Sequence, residues 1–206
     1  MMKKVLSSVI LLAAVNASAG ENYFSDEWDA KGLIAIGGSG GSMSLTNKTT
    51  DSNGFNEVVK SENSGFSSAT FKMGGESKNY RLFLDGTYYI FDAPDTTKST
   101  AYSLGIQIDY LIRAGEHFNI FMGLNGGGIY SEFQQESADV PARTYYVDGK
   151  DAYAGAQLGV NIDIIENLGV ELGGRLKHVF TSQDQYAIEN LYEGYATLVF
   201  KFTGQY

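Results

Sequence analysis

The residues able to do chemistry are few and widely spread. The chain has two histidines, His117 and His178, and no cysteine. No cluster has the spacing of a zinc site, and Asp148-Gly-Lys-Asp151 is too sparse for a calcium loop. Gly37, Gly38, Gly40 and Gly41 have the outward form of a phosphate-cradling loop, but no strand–helix context follows them. What remains is a set of charged residues at strand-like spacing. Lys72, Arg81, Arg175, Lys177 and Lys201 stand against Asp85, Asp109, Asp163, Glu171 and Glu193, five of each sign. Such a set either lines an ion path or an active site, or neutralises itself in a closed interior. An unpaired buried charge is very costly. Matched numbers therefore favour internal ion pairs, with no cofactor, no metal and no catalytic residue.

The elements that must position these residues alternate with period two, the mark of a strand with one apolar face. In the last segment Tyr192, Gly194, Ala196, Leu198, Phe200 and Phe202 share one side; Glu193, Tyr195, Thr197, Val199, Lys201 and Thr203 share the other. Seven earlier segments repeat the pattern. Phe66 to Gly74 sets Ala69, Phe71 and Met73 against Ser68, Thr70 and Lys72. Tyr80 to Phe91 sets Leu82, Leu84 and Ile90 against Arg81, Asp85 and Thr87. The segment around Leu104, Ile106 and Ile108 carries Gln107 and Asp109 on its polar side. Ile120, Met122 and Leu124 oppose Asn119, Phe121 and Asn125. Leu158, Val160 and Ile162 oppose Gln157, Asn161 and Asp163. Val170, Leu172 and Leu176 oppose Glu171, Arg175 and Lys177. The first segment, Lys31 to Leu45, has the least defined register. Leu33, Ala35, Met43 and Leu45 share one parity and Ile34 and Ile36 the other, and its glycines allow a bulge that switches faces.

Connection lengths alternate as well. Short turns follow the second, fourth and sixth segments. Longer loops, 46–64, 92–99, 131–151 and 181–190, follow the first, third, fifth and seventh. An even count of strands with short turns at one end and long loops at the other is the transmembrane barrel pattern, long loops outside. The opening stretch MMKKVLSSVILLAAVNASAG has a positive start, a short apolar core and Ala17-Ser18-Ala19 before Gly20, the form of a cleaved signal peptide. The expected organisation is a signal peptide over 1–19, a periplasmic lead-in over 20–30, and an outer-membrane barrel over 31–206. The net charge is -9, or -11 once Lys3 and Lys4 are removed. This argues against a nucleic acid as partner.

Aromatic residues on the apolar parity sit at segment ends: Tyr80 and Tyr88, Tyr102 and Tyr110, Phe118 and Tyr130, Tyr192 and Phe202. At roughly 3.3 Å per residue and a tilt of about 40° these spacings span about 20–30 Å. That matches an apolar band of about 25 Å with an aromatic girdle at each rim. On the polar parity, counting from the turns puts Arg81 near Asp109, Glu171 near Lys201 and Lys177 near Glu193.

Signal peptide, eight amphipathic segments, alternating turns and loops and an aromatic-rich last strand together resemble the small outer-membrane barrels of the OmpA transmembrane-domain and OmpX type, over roughly Lys31 to Thr203. The resemblance implies an all-β, eight-stranded, antiparallel up-and-down transmembrane barrel. Such barrels usually end on an aromatic residue read by the assembly machinery, and Phe202 or Tyr206 fits that part. Nothing comparable to the peptidoglycan-binding domain of full OmpA is expected. A deacylase of the PagL kind would carry Ser two residues after a rim histidine; after His178 this chain has Phe180 there, with Thr181 and Ser182 beyond. The expected function is therefore non-enzymatic: envelope integrity or surface interaction through acidic extracellular loops. Outer-membrane lipid and lipopolysaccharide are the expected partners, with a protein or glycan at the loops. A narrow porin-like channel, a lipid-modifying enzyme and a soluble lipocalin-like barrel are the alternatives.

Overall fold

A computed structural model describes residues 31–50, 56–93, 98–136, 144–181 and 186–203. The expected signal peptide and lead-in, Trp28, Pro94, Pro141 and Tyr206 lie outside the described residues. Eight strands run in chain order: β1 (Lys31–Thr50), β2 (Asn56–Glu76), β3 (Tyr80–Phe91), β4 (Lys98–Arg113), β5 (Phe118–Glu136), β6 (Thr144–Ile165), β7 (Leu168–Phe180) and β8 (Tyr186–Thr203). Each pairs antiparallel with its neighbour, and β1 pairs with β8 to close the barrel. Closure leaves no free edge along the paired length, which is what a sheet needs where no water can serve its backbone.

The register fixes the barrel's dimensions. One hydrogen-bonded row starts at Lys31 and passes through Glu76, Arg81, Asp109, Gly123, Gln157, Arg175 and Glu193. It returns to β1 at Gly41. The shift from 31 to 41 is ten residues. For eight strands this sets a tilt of about 40° and an interior just wide enough to be filled by side chains.

The turns at one end repeat a single device. Asn79 accepts from the Leu111 N–H at 2.7 Å, His117 from Asp163 at 2.8 Å and Asn167 from Lys201 at 2.9 Å. In each case a turn carbonyl caps the strand beyond its own hairpin. At the other end the strands run longer than the sequence pattern suggests. β1 and β2 pair up to Thr50–Asn56, and β5 and β6 up to Glu136–Thr144. Much of the expected loops 46–64 and 131–151 is therefore strand, in two hairpins that outreach β3 and β7. These stretches carry little regular hydrophobic period, although Phe133 is buried in the cluster at that end and Val147 packs against it.

Burial follows the alternation. On β3 the pattern from Tyr80 to Phe91 is strictly alternating, with odd residues buried. Leu104, Ile106 and Ile108 point outward and are about half exposed, and Leu124 and Leu158 are 69% exposed. Asp109 is 0% and Arg81 1% exposed. The apolar side chains face out and the charged ones face in. β1 keeps one parity throughout its core stretch. Leu33, Ala35, Met43 and Leu45 are buried while Ile34 and Ile36 face out. The expected mid-strand switch does not occur, because both ends of the lumen are themselves apolar. Leu33 and Ala35 pack with Phe83 and Val199 near the short-turn end. Met43 and Leu45 join Phe66, Tyr89, Phe91, Ile129, Phe133, Tyr153, Val179, Ile188 and Leu191 at the long-hairpin end.

Candidate functional site

The charged residues of the lumen form a deep network, linked through Gln107 and Gln157, and a separate group around Lys201. Together they rest on β2, β3, β4, β6, β7 and β8, whose alternation aims every second side chain at the axis. Glu171 binds Lys72 at 2.9 Å and Arg81 at 2.9 Å. Arg81 reaches Asp109 at 3.0 Å through its other terminal nitrogen. Arg175 approaches Glu193 at 3.4 Å and Asp85 at 3.9 Å, and Lys177 lies 3.6 Å from Glu193. Nearer the short-turn end Lys201 contacts Asp163 at 2.9 Å and Glu76 at 3.6 Å.

Arg81 with Asp109 and Lys177 with Glu193 are thus brought together as the turn-counting predicts. Glu171 and Lys201 are not. Glu171 reaches across the lumen to β2 and β3, and Lys201 turns to Asp163 and Glu76. The inward side chains meet near the axis, so a partner on the far wall competes with one on the next strand.

Neutral residues complete the network. Gln107 donates to Asp109 at 2.8 Å, and Gln157 donates to the other oxygen of the same carboxylate. Arg175 donates to Gln157 at 2.9 Å and Gln107 at 3.1 Å. Lys177 donates to the Tyr89 hydroxyl at 2.6 Å. The cations also lie over rings: Arg81 4.7 Å from the Phe121 centroid, Lys72 4.8 Å and Arg175 4.9 Å from that of Tyr195, Lys177 4.8 Å from that of Tyr153. These contacts matter most where water is excluded. Glutamines and tyrosines of the polar parity were visible in the sequence, but nothing there marked them as links between charges. Glu76 reads as a turn residue in the sequence and is the last residue of β2.

Glycines make room for this packing. A Cβ at Gly123 would overlap Asp109 and the Ile108 carbonyl, which is where Gln157 crosses to reach Asp109. A Cβ at Gly105 would overlap the Tyr153 hydroxyl. The deep lumen holds Lys72, Arg81, Arg175 and Lys177 against Asp85, Asp109, Glu171 and Glu193, all 6% exposed or less. Each carboxylate already faces a cation. Among the described residues no group of His, Asp and Glu is arranged to hold a metal ion.

Outside, the aromatic residues fall in two bands. Tyr80 pairs with Tyr110, rings 5.3 Å apart, at the short-turn end. Phe118 and Phe202 are exposed at the same end. Tyr88, Tyr102 and Tyr130 are successive partners across β3, β4 and β5 toward the long-hairpin end, with Tyr88 and Tyr102 at 4.8 Å. Tyr192 is exposed on β8. His178 also faces out, its Nδ1 2.9 Å from the Asn190 side-chain oxygen and its ring against Phe180. His117 lies exposed in the β4–β5 turn.

No protein-family model and no curated protein matches the chain. Solved structures do. Neisserial surface protein A is 16% identical, covers 84% of this chain and 99% of its own, and superposes with a TM-score of 0.59. Outer membrane protein H of Pseudomonas aeruginosa, at 16% identity, covers the same shares with a TM-score of 0.47. Ail, the attachment invasion locus protein of Yersinia pestis, is 12% identical over those shares, with a TM-score of 0.46. The closed barrel and the overlap with Neisserial surface protein A together give this chain the fold of the small eight-stranded outer-membrane β-barrels.

Proposed function

We propose that the chain is an integral outer-membrane protein that acts without catalysis, in envelope integrity or surface interaction. The observation that carries this is the orientation of its wall. Leucines, isoleucines and phenylalanines cover the outside on all eight strands, and the ion pairs fill the inside. A soluble protein does not expose so wide an apolar surface, whereas a transmembrane barrel requires it. The two aromatic bands then act as the girdles at the two membrane–water interfaces. The ion pairs act as structural filling, and the long hairpins stand outside the cell.

A filled lumen weighs against a channel. The paired charges occupy the middle, and the apolar cluster from Met43 to Leu191 closes the long-hairpin end. His178 weighs little toward catalysis, because its hydrogen-bond partner is Asn190 and its ring neighbour is Phe180. Activity is then expected at the hairpins, whose acidic loops suit a protein, glycan or cation-bridged lipopolysaccharide partner. Two measurements test this reading. Membrane fractionation should place the full chain in the outer membrane, with gel migration that shifts on heating. A pull-down with the detergent-solubilised protein should lose its partner when the tips 47–60 and 135–146 are shortened. A periplasmic soluble protein, or capture indifferent to the hairpins, would contradict it.

A further inference from the structure

One of the four deep carboxylates stands apart from the others. Glu171 accepts from Lys72, Asp109 from Arg81 and Gln107, and Glu193 from Ser39 at 2.8 Å. Asp85 is 1% exposed, and neither of its oxygens has a hydrogen-bond partner among the described residues. Lys72, its direct partner across β2 and β3, turns away to Glu171. Arg175 comes no closer than 3.9 Å. A buried charge without a donor is costly, and nearly all buried polar groups in folded proteins are satisfied. Three more open oxygens lie beside this one. Gly105 is the partner of Asp85 across β3 and β4, and the Tyr153 hydroxyl lies over Gly105, where a Cβ would overlap it. Ser103 is the next inward residue along β4. Asn125 on β5 gives its Nδ2 to Gln157 at 3.3 Å, which leaves its Oδ1 open. The Ser103 Oγ, Asn125 Oδ1 and Tyr153 Oη are buried, and among the described residues they too have no hydrogen-bond partner.

We infer that this niche, on the neighbouring strands β3 to β6, binds ordered water, and that Asp85 meets Arg175 through that water rather than as a direct ion pair. A polar contact longer than about 3.5 Å calls for a bridging molecule. Five open oxygens, at roughly three hydrogen bonds per buried water, would occupy about two molecules. Charge decides against a metal cation. The deep lumen already sets four cations against four carboxylates. Arg175 stands beside Asp85, and Lys177 lies 4.8 Å from the centroid of the Tyr153 ring. One more positive charge there would be unbalanced and out of bulk water. The niche is enclosed on both sides. Above it the Tyr153 ring joins Tyr89 and Ile129 in the apolar cluster. Below it Gln107 and Gln157 are tied to Asp109 by direct hydrogen bonds. The water therefore sits in a pocket and not on a path through the barrel. It depends on the lumen walls alone, whatever surrounds the barrel.

The test uses the full chain refolded in detergent. Urea titration compares Asp85→Asn with Glu171→Gln. An amide can bond water through both of its ends, whereas Glu171→Gln breaks direct contacts to Lys72 and Arg81. Asp85→Asn should therefore move the unfolding midpoint by no more than about a third of the shift that Glu171→Gln causes. Ser103→Val puts a branched side chain into the niche, displaces the water and strands the carboxylate. It should lower the midpoint at least about twice as far as Ser103→Ala, which removes one hydroxyl and leaves the water in place. Crystals of the wild type soaked in a thallium salt should show water density within hydrogen-bond distance of Asp85 and of Ser103 or Tyr153, with no anomalous peak there. Equal midpoint losses for Asp85→Asn and Glu171→Gln, an Arg175 guanidinium closed directly onto Asp85, or a thallium peak in the niche would overturn the inference.

Discussion

Glu171 shows how much one lumen side chain carries. It is fully buried and is the common partner of Lys72 and Arg81. Removing it takes the carboxylate away from buried Lys72 and leaves Arg81 with Asp109 alone. Breaking a buried pair in this way costs about 3–5 kcal/mol. Glu171→Leu is therefore expected to lower the urea midpoint of the refolded barrel by that equivalent, and joint replacement of Lys72, Arg81, Asp109 and Glu171 by apolar residues of similar volume should recover much of it. The glycines give a second comparison. Gly123→Ala forces a methyl group into Asp109 and should destabilise by about 1–3 kcal/mol. Gly86→Ala meets nothing nearer than the Ser103 carbonyl at 4.0 Å and should be neutral or stabilising by up to about 1 kcal/mol. Denaturant titration of the two variants in parallel reads the difference. At this scale the sequence was legible only in part. Arg81–Asp109 and Lys177–Glu193 follow from neighbouring strands and turn lengths. Glu171–Lys72 does not, because a partner across the lumen is no nearer in sequence than any other.

Each strand carries its own instruction in the alternation of its side chains. β3 and β4 read without ambiguity, since Leu82, Leu84, Ile106 and Ile108 alternate with Arg81, Asp85, Gln107 and Asp109. β1 was ambiguous because both of its faces carry apolar residues. Only the apolar ends of the lumen explain why Leu33 and Met43 point inward on one parity. The upper parts of β1, β2, β5 and β6 were illegible for a different reason. Their ladder runs on through stretches whose few apolar residues, such as Phe133 and Val147, are not regularly spaced, so hydrophobic period cannot reveal it. A test at the scale of the element follows from orientation. Ile106→Arg puts a cation on the outer face of β4 near mid-height and should cost about 2–4 kcal/mol when the barrel is folded into vesicles. The same change at Tyr110, beside the short-turn rim, should cost no more than about 1 kcal/mol. Equal costs at the two positions would mean that no hydrocarbon surrounds this strand.

The whole molecule is a closed wall around a filled centre. Eight strands and a shear of ten leave an interior that Phe121, Tyr153, Tyr195 and the paired charges occupy. Planar bilayers containing the purified protein should accordingly show no unitary conductance steps above the lipid baseline, and well-resolved steps would mean that the filled centre opens. The architecture was largely legible in sequence, because closure, strand number and wall polarity all follow from period and spacing. What the hairpins meet was not, since recognition at exposed loops leaves no periodic mark.

The central claim is the direction in which the oily side chains point. Its most direct measurement places a single tryptophan at Leu124, with Trp28 replaced by Phe, in vesicles of phosphatidylcholine brominated along the acyl chain. Quenching by the bromines, with little quenching by aqueous iodide, is the predicted result. A tryptophan open to iodide and untouched by bromine would contradict it.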